Sequence, residues 1–248
     1  QQLNQLTRIP VVRAKLVQSE ENEGVEVSTG ILDQYSSAMG KTGCTIQLDC
    51  RHLTSELVQM ADGLQVIICD TRAERQLVGS EYDDRRAQCE AGVQRLQKHY
   101  PQIEALRDVT IEQFEAHKSE MPTLVAKRCQ FIIEENQRVL DLGTALSNGE
   151  VDALGHLFSA SYHGAKELFE ISAPAMEKMM AAMLAAPGVV GARQAGAGFG
   201  GCMIALVKTQ QVEQFMSHVQ QAYRELTDIR PNVFPVFAAD GATLITAT

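Results

Sequence analysis

Four glycines fall within six residues at Gly196, Gly198, Gly200 and Gly201, in the run GAGFGG, and the residues on both sides read as strands. A run of this kind lets a backbone or an anion come close, because glycine admits positive φ and carries no Cβ. The spacing formally satisfies GxGxxG. A dinucleotide fingerprint, however, leads from a strand into a helix whose N-terminus faces the pyrophosphate, and here CMIALV follows as another strand. A protein-kinase glycine loop does join two strands, but only 40 residues follow Lys208, too few for the catalytic-loop and metal-binding signatures. What remains is a strand, a glycine turn and a strand, which by itself can serve packing alone.

The other reactive residue types are equally ordinary when read one by one. Asp33 opens a helical stretch after Gly30, where an aspartate satisfies free amides. Glu21 lies in the acidic run SEENE, and such runs are usually solvated; Tyr82 starts a helix, where it can close a core. Arg85, Arg86 and Glu90 are one helical turn apart and suit a surface ion-pair lattice. His156 and His163, seven residues apart on one helix face, are separated by ~10 Å and form no chelate. The six cysteines at 44, 50, 69, 89, 129 and 202 include no CxxC pair and sit mostly in apolar runs, as small hydrophobes in a reducing cytoplasm would.

The elements that must position these residues follow from periodicity. Helices are expected at Val11 to Glu23 and Ile31 to Met39, then an alternating strand through Cys44, Ile46 and Leu48, then a fully buried strand at Leu64 to Cys69. The middle reads as helices from Ser80 to about His99, from Pro122 to Ser147, from Val151 to Phe169 and from Ala173 to Ala186, with Asn148-Gly149 and Pro187-Gly188 as stops. Strands at Val189 to Ala195 and Cys202 to Val207, a helix from Gln210 to Leu226 and a strand at Val233 to Phe237 complete the chain. From Leu64 on the order is a ferredoxin-like β, several α, β, β, α, β. A boundary near residue 60 therefore gives domains at 1–60 and 61–248 of an α+β protein.

A chain of 248 residues, 45% apolar, can bury a substantial core without a staple. Its formal charge of −9 repels nucleic-acid backbones and anionic membranes, and no window approaches the ~20 apolar residues that span a bilayer. Neither nucleic acid nor membrane is expected as a partner.

Four segments, in order and spacing, resemble galactokinases, ATP-dependent sugar kinases of the GHMP family. They are GILDQYSSAMGKTG from Gly30, LDCR from Leu48, SEYDDRRAQCEAG from Ser80 and GARQAGAGFGGCMIALV from Gly191. LRDVTIEQF, RCQFIIEENQRV, FEIS and ADGA support the match. Two earlier family motifs, a Glu-His-x-Asp run and a phosphate-wrapping loop, are absent from the chain, so it is expected to be an incomplete kinase and inactive alone. The implied fold is a GHMP kinase with part of the N-terminal domain and a ferredoxin-like C-terminal domain carrying extra helices.

The resemblance implies phosphorylation of galactose at its anomeric hydroxyl by ATP with Mg²⁺. Asp33 corresponds to the catalytic carboxylate, Gly30 to a backbone contact with the sugar, Tyr82 to a sugar-contacting tyrosine, and Glu21 to the Mg²⁺-holding glutamate. Gly196, Gly198, Gly200 and Gly201 match the family's glycine motif beneath the phosphate loop. Ala195 replaces a usual threonine there, and SYHGAKELFEIS departs from the family's pattern. A kinase for galacturonate, arabinose or N-acetylgalactosamine, or a silent galactose sensor, would share this layout.

Overall fold

The structure, a computed structural model, describes residues 10–25, 30–73, 80–196 and 198–243. They form two compact units: Gln1–Ala61 with Phe237–Thr248, and Asp62–Val236.

In the first unit, helix α1 (Pro10–Val25) and helix α2 (Leu32–Met39) pack around Ala14, Ile31 and Tyr35, with Ile46, Leu48 and Leu53 against them. Strands β1 (Cys44–Asp49) and β2 (Thr54–Gln59) form an antiparallel hairpin with Ile46 opposite Leu57. β2 is missing from the sequence reading because TSELVQ carries little apolar alternation; its pairing with β1 makes it a strand. The hairpin ends β1 at Asp49, so Cys50 lies in the turn rather than on a strand face with Cys44.

The segment from Phe237 clusters with this unit, whereas a division at residue 60 would assign it to the second. Asp240 is the reason: its carboxylate accepts from Thr42 N at 2.9 Å and Thr42 Oγ1 at 3.0 Å, and pairs with Lys41 Nζ at 3.2 Å. Gly241 N donates to Gly40 O at 2.8 Å. The two glycines permit that approach, since a Cβ on Gly40 would lie 2.7 Å from the Ala239 carbonyl oxygen.

In the second unit a four-stranded antiparallel sheet has the order β4-β5-β3-β6, built from β3 (Leu64–Asp70), β4 (Val189–Gln194), β5 (Cys202–Lys208) and β6 (Asn232–Val236). With a helical connection between β3 and β4 and another between β5 and β6, this is the ferredoxin-like arrangement. Pro235 sits in β6, an edge strand, where a missing N–H costs no ladder bond on the open side. β3 alternates between buried and half-buried positions instead of being buried throughout.

One face of the sheet is covered by α7 (Pro174–Leu184) and α8 (Val212–Thr227). Each supplies a stripe at helical spacing, Met176, Met179, Met180 and Met183 from one and Phe215, Val219 and Tyr223 from the other, closing on Ile67, Met203 and Ala205. The crossover holds helices α3 (Ser80–Leu96), α4 (Ile111–His117), α5 (Thr123–Asn148) and α6 (Val151–Gly164), and the first three bring a second core around Leu96, Phe114 and Cys129. Gly149 ends α5 in the left-handed conformation, φ 67°, and donates back to the last turn. The helix expected to run to Phe169 instead changes at Gly164, and Ala165–Phe169 is a π-helical turn.

Candidate functional site

Asp33 lies in the first turn of α2, exposed, at the helix end where unpaired amides favour negative charge. Ile31 at the N-cap offers no side-chain cap, so the carboxylate is the acidic group at this end. Among the described residues it makes no side-chain hydrogen bond or ion pair. Glu21 projects from α1 to the same place: one carboxylate oxygen accepts from the Gln34 side-chain amide, next in sequence to Asp33. The other amide atom, Gln34 Oε1, is buried and has no hydrogen-bond partner among the described residues. Gly30 precedes α2, and a Cβ there would meet nothing within 4 Å. Nothing within the described fold demands glycine at Gly30. The structure thus brings Asp33, Glu21 and Gly30 together in the first unit.

The glycine turn belongs to the second unit. Gly196, Gly198, Gly200 and Gly201 have φ of 67°, 86°, 133° and 82°, torsions that disfavour any Cβ-bearing residue. The turn is anchored to the FEIS segment, because Phe199 N donates to Ile171 O at 2.7 Å. A Cβ on Gly198 would strike that carbonyl and stand 2.8 Å from Ile171 Cβ. On the other side, Thr71 donates through Oγ1 to Gly201 O at 2.8 Å, and Gly200 N faces Met176 Sδ at 3.0 Å.

FEIS is itself held by two arginines. Arg85 does not join the ion-pair lattice read from its spacing: its Nε donates to Phe169 O at 2.7 Å and its Nη2 to Glu170 O at 3.1 Å, with the guanidinium 5.9 Å from the Phe199 ring centre. Arg86 keeps the expected partner, Glu90, at 3.0 Å. Arg128, 1% exposed, donates to Gln88 Oε1 at 3.0 Å, to Leu168 O, and to Glu170 Oε2 at 2.6 Å. That hydrogen bond, more than the accompanying charges, holds the Glu170 carboxyl below its usual value. Glu170 takes φ 55°, a left-handed torsion that the two arginines stabilise at the end of the π-helical turn.

A cavity of about 330 Å³ adjoins the turn, walled by Phe131, Phe169 and Phe199 and rimmed by Arg85 and Arg193. Burial pushes the thiol of Cys89, on its wall, up to about 11, so this cysteine is an inert packing group. Tyr82 is in the first turn of α3, and its side chain lies outside the described residues. The sequence reading missed the roles of Arg85 and Arg128. The available signal for Arg128 was a lone cation between Val125, Cys129 and Ile132 on one apolar helix face.

Residues 144–225 match the family model for the GHMP kinases C terminal. A galactokinase of Roseiflexus sp. (strain RS-1) is 35% identical over 97% of this chain and 62% of its own length. The similarity to that galactokinase runs along nearly the whole chain. The crystal structure of Lactococcus lactis galactokinase complexed with galactose agrees with it at a TM-score of 0.91, with 30% identity over 97% of this chain and 62% of that one. Mevalonate kinase from L. major, at 15% identity and a TM-score of 0.55, shares the fold alone. The fold is therefore that of the GHMP kinases, and the chain spans 62% of the length of the galactokinases it matches.

Proposed function

We propose that the protein containing this chain phosphorylates galactose at its anomeric hydroxyl, with ATP as phosphoryl donor. The observation that carries the reading is the similarity across 97% of the chain to a galactokinase whose structure holds galactose. Neither a kinase for a related sugar nor a silent galactose sensor is favoured by these relatives.

Phosphoryl transfer asks for an aligned nucleophile and stabilised charge. We assign Asp33 to the nucleophile. Its exposed carboxylate, free of side-chain partners among the described residues, is available to a ligand hydroxyl. It takes the proton of the anomeric hydroxyl as that oxygen bonds to the γ-phosphorus and the bond to the ADP oxygen breaks, giving galactose 1-phosphate, ADP and a proton. Gly30 presents bare backbone to the sugar, since a Cβ there would meet nothing within 4 Å.

Mg²⁺ fits the donors near Asp33. Glu21 has a second carboxylate oxygen, and Gln34 Oε1 is a buried oxygen without a hydrogen-bond partner among the described residues, a pair suited to a hard cation. When bound, the ion would neutralise phosphate charge. None of the six cysteines forms a disulfide, in keeping with a reducing cytoplasm as the compartment. Among the described residues, no helix is long and apolar enough to cross a membrane.

The test is Asp33→Asn in the protein containing this chain, assayed by galactose-dependent ADP release and by calorimetric galactose binding. Turnover is expected to fall by at least about 100-fold, the scale of one general base, while binding is kept. Near-normal turnover in this variant would remove Asp33 from the chemistry.

A further inference from the structure

Beyond the C-terminal end of α3, roughly 20 Å along the chain axis from Arg85 by helical rise, three side chains turn their ligating atoms toward one point. His99 Nε2 lies 2.9 Å from Glu120 Oε2, and His117 Nδ1 lies 2.9 Å from Glu120 Oε1. The two imidazoles are stacked, with centroids 3.7 Å apart and planes 16° from parallel. Tyr100 walls the pair with its ring edge-on to His117 at 5.6 Å. Among the described residues this is the one group of three His, Cys, Asp or Glu whose ligand atoms all fall within 4.8 Å of one another.

Core burial sets this convergence. His99 follows the end of α3, His117 is the last residue of α4, and Glu120 sits in the 3₁₀ turn after it. Each is tied to an anchor in one apolar cluster: Leu96 lies before His99, Phe114 before His117, and Met121 directly after Glu120. His99 N also donates to Leu96 O at 3.0 Å, and Met121 N to Lys118 O at 3.2 Å. Two backbone segments are thus held so that two nitrogens and a carboxylate face each other before any ligand arrives.

We propose that His99, His117 and Glu120 form a binding site for a divalent transition-metal ion of the Zn²⁺ type. Imidazole nitrogen with carboxylate oxygen is a donor set for borderline cations, and three protein ligands leave the fourth position to water. The side chains are partly exposed, so water and the ion have access. No proton need be lost from neutral histidines. The proton on His99 Nε2 moves to its Nδ1 and that on His117 Nδ1 to its Nε2, leaving a lone pair on each ligating nitrogen. The opposing cost is geometric: the in-plane lone pairs of stacked rings run side by side, so the rings must splay to share one ion. Bound metal would cross-link the end of α3 to the α4 segment.

The test is calorimetric titration of Zn²⁺ into the chain at pH 7.5 with excess Mg²⁺ present, because a nitrogen-rich site ignores the harder ion. One equivalent is expected to bind. His99→Gln and His117→Gln should each weaken binding by at least the about 10–100-fold seen when even an outer partner of a metal ligand is lost. His156→Gln, on α6, should leave it unchanged. Imidazole nitrogen resonances of the unmutated chain give a reading independent of any variant, since Zn²⁺ should shift those of His99 and His117 alone. Absence of a saturable equivalent, competition by Mg²⁺, or binding retained in the His99→Gln/His117→Gln double variant would overturn the site.

Discussion

The two units bury their apolar residues in different ways. In the second, Ile67, Met179, Met183, Met203, Phe215 and Val219 are all completely buried between one sheet face and two helices. Among the described residues of the first, the buried apolar side chains are Ala14, Ile31, Tyr35 and Val58, while Val17, Leu32, Leu57 and Phe237 stand 57%, 58%, 52% and 77% exposed. A large apolar residue contributes about 1.5–3 kcal/mol only once water has been removed from it. A similar apolar content therefore supports a firm core in one unit and a thin one in the other. Asp33, read as catalytic, and Glu21, read as a metal ligand, belong to the thin unit, and the glycine turn belongs to the firm one.

Phe215→Ala should have the largest effect, destabilising the second unit by about 3–5 kcal/mol through lost burial and the cavity left behind. Hydrogen exchange should show protection falling across β3 and β5, which in the unmutated chain exceed β1 and β2. Equal protection in the β1-β2 hairpin and in β3 would break the contrast between the units.

Next comes Gly198→Val, which combines a forbidden torsion with a clash at Ile171 and should cost about 2–3 kcal/mol by urea unfolding. Gly30→Ala is its counterpart in the first unit and should leave stability unchanged, since a Cβ there meets open space. Indistinguishable unfolding midpoints for Gly198→Val and the unmutated chain would show that the turn is not braced on Ile171.

The smallest effect separates the arginine brace from the core. Glu170 has a folded pKa held below the ordinary 4.5, first by its hydrogen bond from Arg128. Its contribution is therefore complete above the unfolded pKa and is lost as pH falls through the folded value. Because Glu170 is 44% exposed, solvent screening limits that contribution to at most about 1 kcal/mol. Glu170→Gln should lower stability slightly at pH 7, and the difference should fade as pH drops through the lowered folded pKa of Glu170. A difference independent of pH would assign the role of Glu170 to its left-handed backbone instead of its charge.

Sequence by itself determined most of the elements, since periodicity and stop residues are local: the helices that became α7 and α8, and Gly149 as the end of α5. It also marked the glycine turn and ruled out a dinucleotide loop, because the following strand is written in CMIALV. Only the tertiary structure decided what long-range contact determines. β2 is a strand through pairing with β1, and the ADGA segment joins the first unit through Asp240. Arg85 leaves the surface lattice for the carbonyls of Phe169 and Glu170, 84 and 85 residues away. His99 and His117 meet at Glu120 because an apolar cluster fixes the segments that carry them. Pairings across such distances leave no periodic trace in the sequence, since they depend on which buried faces come together.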